Sequence, residues 1–251
     1  MHVLLLSDIH SNLEALEACL AAAPPWDLAI NLGDVVGYGA SPNQVIDRLR
    51  QFCRLHVRGN HDKACTNTTE IESFNPIAAA AALWTRRALT PENLEYLRSF
   101  PPGPLRVDGI AGVQFVHGSP LDEDGYLIAV TDALDALLEV SVPLTFFGHS
   151  HVQGGFLLDA GYGSELHTRI EAGNGLECTE VQLNRDARYL INPGSVGQPR
   201  DGDWRAGFAV LESDSHTIRF YRVPYDVHTA QRRILEANLP DRLAARLAIG
   251  R

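Results

Sequence analysis

Three short apolar runs open the chain, at residues 3–6, 27–32 and 54–57, and each ends in a polar segment carrying Asp, His or Asn. Two amphipathic stretches separate them. In the first, Leu13, Leu16 and Leu20 share one face, and Ser11 with Glu14 forms the S-x-x-E start of a helix. In the second, Pro42 follows Ser41 in the first turn, Gln44 takes the box position, and Val45, Ile46 and Leu49 form the apolar face. Strands alternating with helices require a parallel sheet, because parallel neighbours need crossover connections. Ligands of such sheets sit beyond the carboxyl ends of the strands. Those are the places where the polar segments fall.

The remainder of the chain changes character twice. Residues 63–100 read as a helical insert, with helices from Asn75-Pro76 to about 89 and from Thr90-Pro91 to about 99. This insert is either a lid or wall of a substrate cleft, or a surface helical hairpin. After the break at residues 101–104, strands are predicted at 105–107, 113–116, 144–147, 155–158, 166–170, 179–183, 189–191, 208–211 and 217–223. One helix interrupts them at 131–139, and two more close the chain at about 227–237 and 241–249. A hairpin insert is expected over about 160–180. The whole, 1–251, is expected to be one domain.

Bulk properties narrow the function classes. The formal net charge of −10 disfavours nucleic acid as a partner, although bound cations would reverse the field locally. Four cysteines without ligand spacing read as reduced thiols. No targeting segment and no membrane-length apolar run is visible, so a cytoplasmic protein without a membrane partner is expected.

Five segments carry the chemistry, each after a predicted strand: Asp8-Ile9-His10, Gly33-Asp34, Gly59-Asn60-His61-Asp62, His117-Gly118 and Gly148-His149-Ser150-His151. Five of the ten histidines lie in them. The one-residue spacing in Asp8-Ile9-His10 and His149-Ser150-His151 puts both side chains on one side of an extended segment. Carboxylates and imidazoles suit two divalent cations, which can activate water and clamp a phosphoryl group. Taken singly, each residue is as readily a turn, a cap or an exposed histidine. Taken together, they point to metal.

In order and type, these segments resemble the calcineurin-like metallophosphoesterase pattern DxH, GD, GNH[DE], H and GHxH. The resemblance runs from Asp8 to about Arg200. It implies a four-layer α/β/β/α sandwich with two mixed sheets. It also implies a cofactor of two divalent transition-metal ions (Mn, Fe, Zn or Ni). Asp8, His10, Asp34 and His151 would hold one ion, and Asn60, His117 and His149 the other, with Asp34 bridging. His61 would act as general acid or stabilise charge on the phosphoryl group, while a hydroxide shared by the metals attacks phosphorus. Around the bridging aspartate, Gly37 and Tyr38 replace the acid and arginine of phosphoprotein phosphatases. The stretch Gly37-Tyr38-Gly39 resembles small bacterial phosphodiesterases and diadenosine-tetraphosphate hydrolases. The implied partner is a small phosphoester or nucleotide, with a phosphomonoesterase, a protein phosphatase or a non-catalytic scaffold as alternatives. A homo-oligomer stays open.

The second polar loop, residues 192–200, offers Asn192, Ser195 and Arg200 as substrate-side candidates, with a tight strand connection as the other reading. Arg58 and Tyr38 are further candidates of the same kind. His56, inside a strand, reads as structural.

Overall fold

The computed structural model describes residues 1–67, 69, 71, 74–168 and 173–251. The first strands and helices are β1 (His2–Leu6), α1 (Leu13–Ala22), β2 (Leu28–Asn31), α2 (Pro42–Phe52) and β3 (Leu55–His56). Three helices follow: α3 (Asn60–Cys65), α4 (Pro76–Ala88) and α5 (Pro91–Arg98). The second half supplies β4 (Val113–Phe115), α6 (Val130–Glu139), β5 (Leu144–Phe146), β6 (Gly154–Asp159), β7 (Tyr162–His167), β8 (Glu177–Gln182), β9 (Arg188–Asn192), β10 (Ala206–Glu212), β11 (Thr217–Val223), α7 (Val227–Glu236) and α8 (Asp241–Leu247).

These strands form two mixed sheets, ordered β3-β2-β1-β10-β11-β8 and β4-β5-β9-β6-β7. The amino-terminal β-α-β-α-β unit is parallel, as its alternation requires. The period-two alternation of β1 then builds the layers. Val3 and Leu5 face Phe115, Phe146 and Ile191 of the other sheet, while Leu4 and Leu6 face Leu16, Val45 and Leu49 of the helices. On the far side, α6 covers the second sheet through Ala133, Ala136, Leu137, Phe147 and Leu190. The order is therefore helices, sheet, sheet, helix.

Some local expectations give way. The first helix is capped by Asn12, not Ser11: the Ala15 amide donates to Asn12 Oδ1 at 3.1 Å, while Ser11 sits at φ 55°. The hairpin expected over 160–180 does not form as such. β7 turns back at Ala160-Gly161 to pair with β6, and β8 pairs with β11 in the other sheet. Of the strand predicted at 105–107, only Leu105 bridges, to Phe115. Residues 169–170 of the predicted 166–170 strand lie outside the described residues.

His56 is structural. Its ring stacks on Phe100 with centroids 4.2 Å apart, and Nε2 lies 2.8 Å from the Tyr96 hydroxyl. Burial lowers its pKa to about 4. The unfolded chain would therefore bind a proton that the fold refuses between about pH 6.5 and 4. Stability from this group is complete above about 6.5 and declines as pH falls towards 4. Thermal unfolding of His56→Phe, compared with wild type from pH 7.5 to 4, should show the shallower fall, by about 1–3 kcal/mol over that range. Parallel curves would refute it.

Candidate metal centre

The site is built at the carboxyl ends of β1, β2, β3, β4 and β5, where the five polar segments meet. Their backbones are unusual. Asp8, His10, Asp34, His149 and His151 all have φ between 49° and 66°, the left-handed region that side chains disfavour. This strain is held by bonds between loops. Asp8 N donates to Gly33 O (3.0 Å), His10 N to Asp34 O (3.0 Å), Gly148 N to His117 O (2.7 Å) and Gly197 N to Asp8 O (2.9 Å).

Two clusters of ligand-type atoms result. One comprises Asp8, His10, Asp34 and His151, the other Asp34, His117 and His149; all are buried, and Asp34 is common to both. Asn60 joins the second cluster, with Oδ1 3.2 Å from His117 Nε2.

The histidine tautomers decide what these clusters can hold. His10 Nδ1 faces the Val36 carbonyl at 3.1 Å, and His151 Nδ1 faces the Gln198 carbonyl at 2.6 Å. Each Nδ1 must donate, so each neutral ring keeps a lone pair on Nε2. Those two nitrogens are 3.2 Å apart, and neither can donate to the other. Asp34 Oδ2 lies 3.6 Å from His10 Nε2, and Asp8 Oδ1 lies 3.4 Å from His151 Nε2. Four electron-rich atoms thus converge without a proton to share. Burial first, then like-charged neighbours, hold His10 and His151 well below the ordinary imidazole range, so both rings are neutral. Asp34 Oδ2 has no hydrogen-bond partner, while Oδ1 accepts from the His61 amide at 2.8 Å. A buried oxygen left open between two clusters fits a carboxylate that serves both.

In the second cluster, His117 Nδ1 donates to Leu32 O at 2.8 Å, and Nε2 lies 3.5 Å from Asp34 Oδ2. Burial opposes its charge, but Asp34 outweighs burial and raises His117 to about 10. Asp34, which burial would raise, is held well below the carboxylate range by His117 and His61. His149 Nε2 faces Asp124 O at 3.0 Å, leaving Nδ1 free, and its ring is stacked under Tyr126 with centroids 3.8 Å apart. The donor set fits divalent cations with mixed nitrogen and oxygen ligands.

A family model, the calcineurin-like phosphoesterase superfamily domain, matches residues 1–216. The chain belongs to the calcineurin-like phosphoesterase superfamily. Its members are metal-dependent hydrolases of phosphoesters. The chain is 35% identical over 259 residues to an uncharacterized protein of Methanocaldococcus jannaschii, covering 99% of this chain and 98% of that protein. The crystal structure of a metallophosphoesterase from Sphaerobacter thermophilus superposes with a TM-score of 0.84 at 36% identity, covering 100% of both chains. A hypothetical protein of Pyrococcus horikoshii shares the fold, with a TM-score of 0.77 at 22% identity, covering 100% of this chain and 98% of that one.

Several substrate-side expectations are corrected. Asn192 is fully buried; its Nδ2 donates to Gly148 O (2.9 Å) and Ser150 Oγ (3.0 Å). Ser195, also fully buried, donates to Asp8 O and accepts from Gln198 N, both at 2.8 Å. These two residues hold the metal-centre loops, because a buried loop needs side chains to satisfy its backbone. Arg58 is bound by Glu123 at 2.6 and 3.0 Å. Arg200 and Tyr38 do reach the site: Arg200 Nη2 lies 3.4 Å from the Tyr38 hydroxyl, and the Tyr38 ring packs 4.6 Å from His10 and 4.3 Å from His61.

Asp62 does not orient His61. Its carboxylate accepts from the amides of Asp34 (2.9 Å), Gly59 (3.0 Å) and Val36 (3.2 Å), tying two loops together. Sequence reasoning missed Phe74, Asp124 and Tyr126, which line the cleft with His61 and His149. The acidic turn Asp122-Glu123-Asp124 after His117-Gly118 was the only trace of them.

Gly59 is a sharp test of this packing. A Cβ there would meet the Asp34 carboxylate and backbone nitrogen, whereas a Cβ at Gly175 meets nothing within 4 Å. Gly59→Ala should lower stability by about 1–3 kcal/mol and reduce bound metal. Gly175→Ala should leave both unchanged. Full metal content and an unchanged melting point in Gly59→Ala would contradict the arrangement.

Proposed function

We propose that the protein hydrolyses a small phosphodiester or nucleotide ester, with Asp8, His10, Asp34 and His151 holding one divalent cation and Asn60, His117, His149 and the shared Asp34 a second. The observation that carries this reading is the convergence of the unprotonated His10 Nε2 and His151 Nε2 with the Asp8 and Asp34 carboxylates in one buried cluster. The cations, once bound, would supply an activated water and neutralise charge on the phosphoryl oxygens.

The chain's own contribution centres on His61. Burial, only partly opposed by Asp34, holds its pKa at about 4, so the ring is neutral at pH 7. It offers an N–H to charge on the phosphoryl group, a better match to its state than general-acid work at that pH. Its position is set by packing: Tyr38, His10 and Phe74 surround it with centroids 4.3–4.9 Å away, and Nδ1 has no partner. Gly37 explains the missing acid. A Cβ at Gly37 would lie 2.6 Å from His61 Nδ1, so the ring takes the space that a longer residue would need.

The open cleft beside the second cluster, about 300 Å³, is lined by Asn60, His61, Phe74, Asp124, Tyr126 and His149 among others. Half-exposed Tyr126 and partly buried Phe74 border the cleft and would offer aromatic surface to a base or aryl group. That favours a nucleotide or aryl diester over a phosphoprotein loop.

Protein stripped of metal should not hydrolyse bis-p-nitrophenyl phosphate. Adding back Mn, Ni, Zn or Fe(II) should restore turnover in the wild type but not in Asp34→Asn. No turnover with any of these ions, despite stoichiometric metal binding, would overturn the catalytic reading. His61→Ala should lose about 10²–10³-fold in kcat while retaining its metal and its melting temperature.

A further inference from the structure

The cleft does not end at Tyr38. A second hollow, of about 730 Å³, lies between α8 and the first turn of α4, bordered by Tyr38, Asn75, Ile77, Arg242, Arg246 and Arg251. Tyr38 and Asn75 line both spaces, which are therefore neighbours. The Arg200 and Arg246 guanidinium carbons stand 5.7 and 6.0 Å from the centre of that ring.

Three arginines, Arg242, Arg246 and Arg251, line this hollow, and no Asp or Glu does. The arginines that sit among acids elsewhere take them as partners: Arg58 with Glu123, Arg205 with Asp203, Arg222 with Asp201, Arg233 with Glu14. Among the described residues, Arg200, Arg242 and Arg246 form no ion pair with an Asp or Glu side chain, although acids outnumber Lys and Arg by 31 to 21. Arg200 Nε is buried without a hydrogen-bond partner. Arg246 is partly buried, and burial, then repulsion from Arg200 and Arg242, holds its guanidinium below the usual range.

Helix capping accounts for part of this only. Arg246 lies in the last turn of α8 and donates to the Arg251 carbonyl, where a cation suits the helix dipole. Arg242 lies in the first turn of α8, where the dipole disfavours it. The first turn of α4, at the other side of the hollow, adds more positive partial charge. Uncompensated like charges around a hollow are unfavourable alone and are relieved by an anion.

We propose that this hollow is a second anion subsite, taking a further phosphate group of an ester whose reacting phosphoryl group lies at the metal centre. The proposal rests on the function given above and narrows it: the substrate carries at least two phosphates, one on each side of Tyr38. Planar guanidinium groups suit phosphate oxygens in pairs. The remote phosphate would position the reacting one, so binding energy gained at α8 acts at the cations.

The test compares butane-1,4-diol bisphosphate with butyl phosphate, titrated calorimetrically into cation-loaded protein. In wild type the bisphosphate should bind about tenfold or more tightly, beyond the factor of about two for its two equivalent ends. In Arg242→Gln/Arg246→Gln that ratio should collapse to about two, and Arg246→Lys should keep part of it. Exposed Arg242 is replaceable without disturbing the core, so Arg242→Gln alone carries the test if the double variant unfolds. Equal affinities in wild type, or a ratio unchanged in the folded variants, would overturn the subsite. Hydrolysis of bis-p-nitrophenyl phosphate by the same wild-type preparation judges the metal centre separately. Turnover without a bisphosphate preference sinks only the subsite, and a preference without turnover sinks only the catalytic reading.

Discussion

The structure depends on one electrostatic constraint: electron-rich atoms from five chain segments are forced together around Asp34 Oδ2. Packing lone pairs and carboxylates into a buried space is unfavourable without compensating positive charge. Part of the compensation is internal. His117, raised to about 10, forms an ion pair with Asp34, which is held low. The first cluster has no equivalent proton, because both of its histidines are neutral and both Nδ1 atoms are committed to carbonyls. A cation is the remaining way to satisfy it. A cation held at the second cluster would have to take the place of the His117 proton.

Holding such a cluster requires a rigid frame. Five of the ligand-type residues adopt left-handed backbone angles, each costing roughly 1–2 kcal/mol. The two packed sheets supply the compensation, because they fix the strand ends from which every loop departs. The loops then brace one another. Asp62 ties the ends of β2 and β3 together, Ser195 holds the Asp8 carbonyl, and Asn192 holds the loop after β5. The polar residues around the centre thus divide into those that face the cavity and those that maintain its walls.

That division sets how far the sequence could be read. The parallel unit was legible because apolar runs and helical faces alternate within 62 residues. The convergence of the ligand-type residues was legible because each follows a strand end and the order of types is distinctive. For Asn192 and Ser195 two readings stood side by side for a physical reason: an exposed substrate residue and a buried loop brace have the same composition, and only burial separates them. Ser11 and Asn12 are both good caps, and the choice fell to the backbone when Ser11 took a left-handed angle to serve the site. The 160–180 stretch has strand-forming residues on both sides of a turn. Its partners lie in different sheets, and pairing across such sequence distance leaves no local signal.

The Gly37-Tyr38 pair shows how a departure from a family pattern becomes structure. Gly37 has no side chain to orient His61, and the vacated volume lets the imidazole ring pack there. Tyr38 then fills the place of an arginine with a neutral ring, against both His10 and His61. Removing a charge from that spot would weaken phosphate binding if nothing replaced it. Arg200 and Arg246 both stand by the same ring, brought from the loop after β9 and from the last turn of α8. Positive charge therefore stands outward from Asp34, beside the Tyr38 ring, where it would act on groups of a substrate more remote from the reacting phosphorus.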